Sequence, residues 1–397
     1  MFRLDSRNFL QYGLLLILLA IVIYVFFFYS NQSQTEQVEL QELSTFKEFS
    51  TYFEDLAKIK GAIHAFEVLK TAEFPPNIDT HLLGHVVGDE LYAQEGVEGI
   101  KYCTHHLRNA CSHSVVIGAL LERGAGALPE VQDACHQAPG GKGAYTMCYH
   151  GFGHGVLAYL DYEYPEAVNF CKKVGTEEYG NREYIECVGG VTMEMMAGVH
   201  DPGTWEEKKE SFMPEGEPLA PCNAEYMPEE VRGICYTYLS PRLFADGGGN
   251  LGALTEKDYA HAFALCAQIE DRNDRLTCQG ALGKEFIVLS QNYDVRDIEN
   301  ISNDSLQTVL SWCALAGSSE GEKACVTHAV QSLFWGGEND RNAAVRFCIL
   351  ADGDAQERCI DELIGAVSYY IDDGGYRTSF CSELPNTFQN VCREKLL

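Results

Sequence analysis

The hydrophobic positions fall into two regimes. From Phe9 to Tyr29 they are almost continuous (LLLILLAIVIYVFFF) and carry no charge, long enough to cross a bilayer. Further on, they recur at helical spacing in short segments separated by polar turns. Arg3 and Arg7 precede the apolar run, and no Lys or Arg follows it before Lys47. That asymmetry predicts a cytoplasmic tail (1–8), a transmembrane signal anchor (9–29) and a periplasmic or extracellular ectodomain. The rival reading is a cleaved signal peptide. The residues after the run (YSNQSQTEQ) offer no small-x-small cleavage site, which favours an uncleaved anchor.

A polar stalk (30–45) leads into helices expected at about 46–70 and 78–95. The later helical segments come in pairs. In YAHAFALCAQIEDRNDRLTCQGALGKEFIVLSQ one helical pattern runs through Cys266, EDRND makes the turn, and a second helix carries Cys278 in its first turns. RFCILADGDAQERCIDELIGAVSYYI repeats the plan with ADGD as its turn.

The 16 cysteines generalise it. All lie beyond the apolar run, and in chain order they form eight couples: Cys103/Cys111, Cys135/Cys148, Cys171/Cys187, Cys222/Cys235, Cys266/Cys278, Cys313/Cys325, Cys348/Cys359 and Cys381/Cys392. A cysteine one turn before a tight loop and another one turn after it face each other across an antiparallel helix pair, within reach of a disulfide. Zinc sites and thioredoxin-like chemistry want Cys-x-x-Cys, and haem attachment Cys-x-x-Cys-His; none occurs. Eight structural disulfides are expected, in a compartment where disulfides persist. A basic residue stands three before the second cysteine in several couples (Arg108, Arg232, Arg275). A local spacing that recurs at this period marks a helical-repeat array. In architecture it resembles the disulfide-stapled α/α solenoids of the Sel1-like and tetratricopeptide kind. Their alanine- and glycine-rich consensus is not matched, so the resemblance implies hairpin stacking and no adaptor function.

The fold class expected is therefore all-α, a solenoid-like array of α/α hairpins. N-terminal repeats occupy 46–200. The stretch 201–221, rich in Pro, Gly and charge, reads as an insertion or linker, and C-terminal hairpin repeats fill 222–397. With 46% hydrophobic residues the chain can bury a large core, and a net charge of −29 argues against nucleic acid or anionic lipid as a partner.

Nine of the 12 histidines lie between His81 and His200. Two segments are near copies: HLLGHVVG, with His81, Gly84 and His85, and HGFGHGVL, with His150, Gly153 and His154. Histidines four apart on a helix share a face and can meet one metal ion. His113, two residues after Cys111, stands where His150 stands after Cys148. His81, His85, His113, His150 and His154 are thus candidate ligands for zinc, copper or iron, which suit imidazole better than magnesium or calcium do. Asp89, Glu90 and Glu194 are candidate carboxylates, Glu194 as an extra ligand or general base. Glycines beside the histidines would either open space for a ligand or mark ordinary helix crossings, as Gly190 suggests in CVGGVTM. His105 and His106 are expected in an exposed loop, and His261 and His328 as structural residues. No serine-hydrolase, phosphate-loop, His-Glu-x-x-His or dinucleotide motif occurs. Two functions follow: a metal or cofactor centre carrying envelope chemistry or metal handling, or a non-catalytic scaffold that presents a surface to another envelope protein.

Overall fold

A computed structural model describes residues 38–175, 180–296 and 298–397. The expected anchor (9–29), the tail before it and most of the stalk lie outside those residues. Among the described residues no helix is long and apolar enough to cross a membrane, and no strand occurs.

Helix α1 (Phe46–Lys60) starts at a capping box in which Thr45 and Glu48 satisfy each other's backbone N–H groups. Gly61, at φ 95°, breaks the segment expected as one helix and starts α2 (Ala62–Thr71). Asp79 caps α3 (Thr80–Glu95) by accepting from Leu82 N at 3.0 Å.

Each cysteine couple then staples one hairpin. An irregular segment holding Cys103 pairs with α4 (Ala110–Arg123) through Cys111. Cys135–Cys148 joins α5 (Leu128–His136) to α6 (Gly141–Tyr159), and Cys171–Cys187 joins α7 (Tyr164–Val174) to α8 (Arg182–Ala197). After α9 (Pro202–Phe212), Cys222–Cys235 ties a loop to α10 (Glu229–Tyr238). A short α11 (Ser240–Ala245) follows. Cys266–Cys278 then joins α12 (Glu256–Cys266) to α13 (Arg272–Leu289), and Cys313–Cys325 joins α14 (Asn303–Cys313) to α15 (Ser319–Phe334). In the last hairpins Cys348–Cys359 joins α16 (Asn342–Leu350) to α17 (Gly353–Tyr370), and Cys381–Cys392 joins α18 (Gly374–Glu383) to α19 (Asn386–Leu396). All eight expected disulfides form, with Cα–Cα separations of 5.3 to 5.6 Å. Each closes a loop of 8 to 16 residues, worth about 2–3 kcal/mol on the chain-entropy estimate.

The pairing is as expected, but the placement of the cysteines differs in two respects. Cys235 does not face a helix: its partner Cys222 lies in the loop after α9, because the Pro-rich stretch before it supports no helix there. The Tyr164 hydroxyl, 3.7 Å from Cys235 Sγ, ties this hairpin to the one before it. Cys392, expected one turn past its loop, stands almost two turns into α19. Cys235, Cys278, Cys325 and Cys359 are equally deep in their helices. The linker carries the chain past the first cysteine, so the second helix must return by nearly two turns to meet it.

In four hairpins the residue three before the second cysteine ties the turn. Arg275 donates to the carbonyls of Ile269 and Glu270, and Arg232 to that of Met227. Gln356 and Gln389 do the same to Ile349 and Ala351, and to Ser382 and Leu384. In the last two hairpins these bonds satisfy carbonyls that a helix end leaves open, and in the other two they tie carbonyls of the turn itself. Arg108 departs from the pattern and stacks over the Trp335 ring, 4.6 Å from its centre.

The inner row is α3 followed by the helices bearing the second cysteines, each packed on the next: α4, α6, α8, α10, α13, α15, α17 and α19. Glycines set these contacts. A Cβ on Gly153 would collide with the Cys187 carbonyl, one on Gly190 with that of His150, and one on Gly283 with that of Cys325. The row curls back on itself, so that α17 reaches α6. Lys142 bonds Asp372 at 3.1 Å, Trp335 donates to Asn109 at 2.7 Å, and Arg296 donates to the carbonyls of Leu69 and Ala72. The segment 201–221 holds α9, while α8 packs directly on α10 across it.

Candidate metal centre

Helices α3, α4, α6 and α8 bring six imidazoles together. His81 and His85 come from α3, His113 from α4, and His150 and His154 from α6. The sixth, His200, follows α8. There Gly198, at φ 58°, ends the helix in a left-handed turn closed by its N–H to the Glu194 carbonyl. The chain reverses and lays His200 against Glu194, six residues back. All five histidines expected as ligands are at most 9% exposed.

The two His-x-x-x-His pairs are built alike. In each, the Nε2 atoms face each other at 3.3 Å, with ring centres 4.9 Å apart in the first pair and 5.0 Å in the second. His113 lies between the pairs, 5.9 Å from His85 and 5.1 Å from His150 by ring centres. His200 lies between them too, 5.6 Å from His85 and 5.8 Å from His154. Ligand atoms of His81, His85 and His113 all fall within 4.8 Å of one another.

The partners of the Nδ1 atoms fix the tautomers of His81, His85 and His154. His81 Nδ1 lies 2.8 Å from the Leu107 carbonyl, which only accepts, so Nδ1 carries the proton and Nε2 a bare lone pair. His85 Nδ1 lies 3.0 Å from Ser114 Oγ, whose own proton goes to the His85 carbonyl at 2.9 Å. His85 Nε2 is therefore bare as well. Two lone pairs 3.3 Å apart do not make a hydrogen bond unless one ring is charged, and burial opposes that. It pulls the His81 imidazole down to about 4, and His85 well below the ordinary range, with the neighbouring histidines adding to the effect. In the second pair, His154 donates from Nδ1 to Glu194 Oε2 at 3.0 Å, which leaves its Nε2 bare too.

Glu194 is completely buried and accepts four bonds. Oε2 takes those of His154 Nδ1 and His200 Nδ1 (2.6 Å), and Oε1 those of Tyr162 Oη (2.6 Å) and His200 N (3.0 Å). Burial weakens its acidity, but the hydrogen bonds and charges of the two histidines outweigh this and hold the carboxyl far below the usual range. Its oxygens and those two Nδ1 atoms lie close enough to share an ion, yet every lone-pair direction already receives a proton. Such a carboxylate orients imidazoles and raises their basicity, as the outer partner in a carboxylate–histidine–metal arrangement. A group this acidic and this saturated makes a poor general base.

Four nitrogens in the cluster are left over. Neither nitrogen of His113 meets a hydrogen-bond partner, with only a weak pull from the Met147 backbone on its charged form. His150 Nδ1, 3.9 Å from Glu186, and His200 Nε2 also have none. A buried polar atom without a partner costs about 1–3 kcal/mol, and folded proteins seldom bury several together without a use.

The remaining histidines lie elsewhere. His105 and His106 stack on each other, half-buried rather than exposed, outside the cluster. His261 pairs with Asp246 at 2.7 Å on the surface, and His328, half-buried, packs against Gly280. Of the other expected carboxylates, Glu90 pairs with Lys58 at 3.5 Å, and Asp89 is exposed at the rim, where it favours a charged His200. The glycines beside the histidines leave no space: a Cβ on Gly84 would meet Ala110 at 2.8 Å, and one on Gly151 the His113 backbone at 2.9 Å. They are helix crossings, and they draw the histidine-bearing backbones together. No family model, curated protein or solved structure matches this chain.

Proposed function

We propose that the chain is a metalloprotein whose six-histidine cluster binds two transition-metal ions, one at each His-x-x-x-His pair. The observation that carries this is the facing of bare Nε2 atoms at 3.3 Å in the first pair; the Nε2 atoms of the second pair stand at the same distance. Tetrahedral zinc with Zn–N bonds of about 2.0–2.1 Å places two ligand nitrogens about 3.3–3.4 Å apart. The pairs thus hold a ligand spacing, and burial holds their rings in the neutral form that a metal requires. His113 and His200, flanking both pairs, supply the next ligands, and Glu194 positions His154 and His200 from behind.

An all-imidazole donor set suits zinc, copper or iron. The chemistry open to such a centre is Lewis-acid activation, electron transfer or metal storage. The eight disulfides support an extracytoplasmic setting for it.

Elemental analysis of the full-length chain, purified without a polyhistidine tag, tests the proposal. Two equivalents of one metal are expected, falling to one in His81→Ala/His85→Ala and to none when His150→Ala/His154→Ala is added. Substoichiometric metal that ignores these substitutions sinks it.

A further inference from the structure

Where the inner row curls back it forms a half-open cavity of about 460 Å³, walled by α6, α8, α10, α13, α15 and α17. That is within the size range of small-ligand sites. It borders the histidine cluster through one layer of side chains. Tyr238 lines the cavity and packs on His150 with ring centres 4.8 Å apart, and Glu186 lines it 3.9 Å from His150 Nδ1.

The charged side chains on this wall are Arg182, Glu186, Lys284 and Glu362. Arg182 and Glu186 pair at 2.7 Å and cancel. Burial weakens the acidity of Glu362. Lys284 is left over. It is 9% exposed, and among the described residues its ammonium makes no ion pair; Glu186 and Glu285 act on it only from a distance. Its neighbours are aromatic faces, Tyr238 at 4.1 Å and Trp335 at 5.9 Å from Nζ to ring centre. Burying an ammonium without a paired counter-charge costs several kcal/mol, which a cation–π contact only partly offsets.

Register makes the placement more than local. Lys284 is six residues after the second cysteine of its hairpin, Cys278, as His154 is six after Cys148. Gln331, six after Cys325, and Gly365, six after Cys359, line the same cavity. The position is buried at His154 and Lys284, and at Gln331 and Gly365 it opens onto the mouth of the cavity. In one hairpin of the N-terminal half it holds the imidazole of His154, and in one of the C-terminal half the cation of Lys284 among aromatic rings.

We propose that the cavity binds a small aromatic carboxylate, its anionic group on Lys284 and its flat body against Tyr238, Trp335 and Tyr370. The volume fits a single ring with short substituents. Surface charge is screened beyond about 8 Å at physiological salt, so the local cation decides over the acidic exterior. The proposal concerns this chain's own side chains and holds whether or not the neighbouring cluster takes metal.

Calorimetric titration of the full-length chain, stripped of metal by a chelator, tests it with benzoate, benzamide and acetate as probes. Benzoate is expected to bind with a sub-millimolar Kd. Benzamide, which lacks the charge, and acetate, which lacks the ring, should each bind about 10-fold more weakly or worse. Lys284→Met should weaken benzoate about 30-fold while leaving Tm unchanged or raised, because it removes an uncompensated buried charge. A purely structural lysine would instead lower Tm and leave affinity alone. Trp335→Leu gives a second reading by weakening benzoate and acetate unequally. The proposal is overturned if benzoate does not bind, if benzamide matches it, or if Lys284→Met binds as the parent does. Metal content, measured separately, keeps failure of the metal proposal distinct from failure of this one.

Discussion

The hairpins before His200 and those after Glu256 share a frame and differ in what the frame holds. Both halves staple each hairpin once, and both bring inner helices into backbone contact through glycine: Gly153 and Gly190 in the first half, Gly283 in the second. In the first half the enclosed face carries six imidazoles and one saturated carboxylate. In the second it carries Lys284, Gln331 and aromatic rings around an open volume. Stability belongs to the shared frame, and chemistry to the side chains at a few inward positions. A glycine-rich helix is therefore no sign of a ligand site by itself, since both halves have one.

The largest expected effects test what is shared. Gly153→Ala and Gly283→Ala each push a methyl group into a carbonyl that cannot move without its helix. Each should destabilise by about 3 kcal/mol or more, at the upper end of overpacking costs. Comparable falls in thermal midpoint are expected. If Gly153→Ala is tolerated while Gly283→Ala is not, the two halves do not share their packing.

Next comes what separates them. Bound metal at about 100 times its Kd would stabilise the fold by about 2.7 kcal/mol per site. A chelator should therefore lower the melting temperature of the parent and of His328→Ala, whose imidazole is in the other half. It should leave His85→Ala/His154→Ala unmoved. A chelator effect that persists in that double variant places the metal elsewhere. Glu194→Gln is a milder probe of the same site. It keeps the shape but loses the charge and two of the four acceptor bonds, and weakening such an outer partner lowers metal affinity about 10–100-fold. Competition with a chromophoric chelator reads that change directly, and affinity equal to the parent would remove Glu194 from the centre.

How far the structure is legible in the sequence depends on distance along the chain. The disulfides are local, closing 8 to 16 residues, so spacing alone identifies every pair. Spacing does not say what each cysteine stands on, and so the loop opposite Cys235 and the depth of Cys392 in its helix escape it. The histidine pairs are legible for the same reason as the disulfides, through helical periodicity. His200 is not, because no periodic pattern leads to it; a left-handed turn at Gly198 carries it back over Glu194. Glu194 stands out as a carboxylate, but its orienting role depends on four donors from three segments. The curl of the array is not legible at all. It rests on contacts such as Thr80 with Tyr293 and Lys142 with Asp372, which are 213 and 230 residues apart. Such closure is the sum of small rotations between repeats, and no local pattern encodes it. The setting of Lys284 is hidden with it, although its distance from Cys278 matches that of His154 from Cys148.

The smallest effect sets one buried carboxyl against another. Glu194 is held ionised by its histidines, whereas burial pushes Glu338 up to about 8 from an ordinary 4.5, against a weak pull from the Asn109 side chain. Glu338 sits where the array closes, its Oε2 3.3 Å from Asn109 Nδ2. Below pH 4.5 it is protonated in both folded and unfolded chains and has no effect on their balance. Between 4.5 and about 8 the unfolded chain gives up this proton while the folded chain keeps it, so stability falls as pH rises, and above 8 the loss is complete. For Glu194 the sign is opposite: its contribution is present above the unfolded value and lost as pH falls through the folded one. Glu338→Gln is neutral at every pH. It should melt a few degrees above the parent at pH 8, a gain of about 1 kcal/mol after solvent relief, and level with it near pH 4. A gain of equal size at both pH values would show that the substitution acts through packing. A loss at pH 8 would mean that Glu338 is charged and paired, and that the closure of the array is an ionic contact.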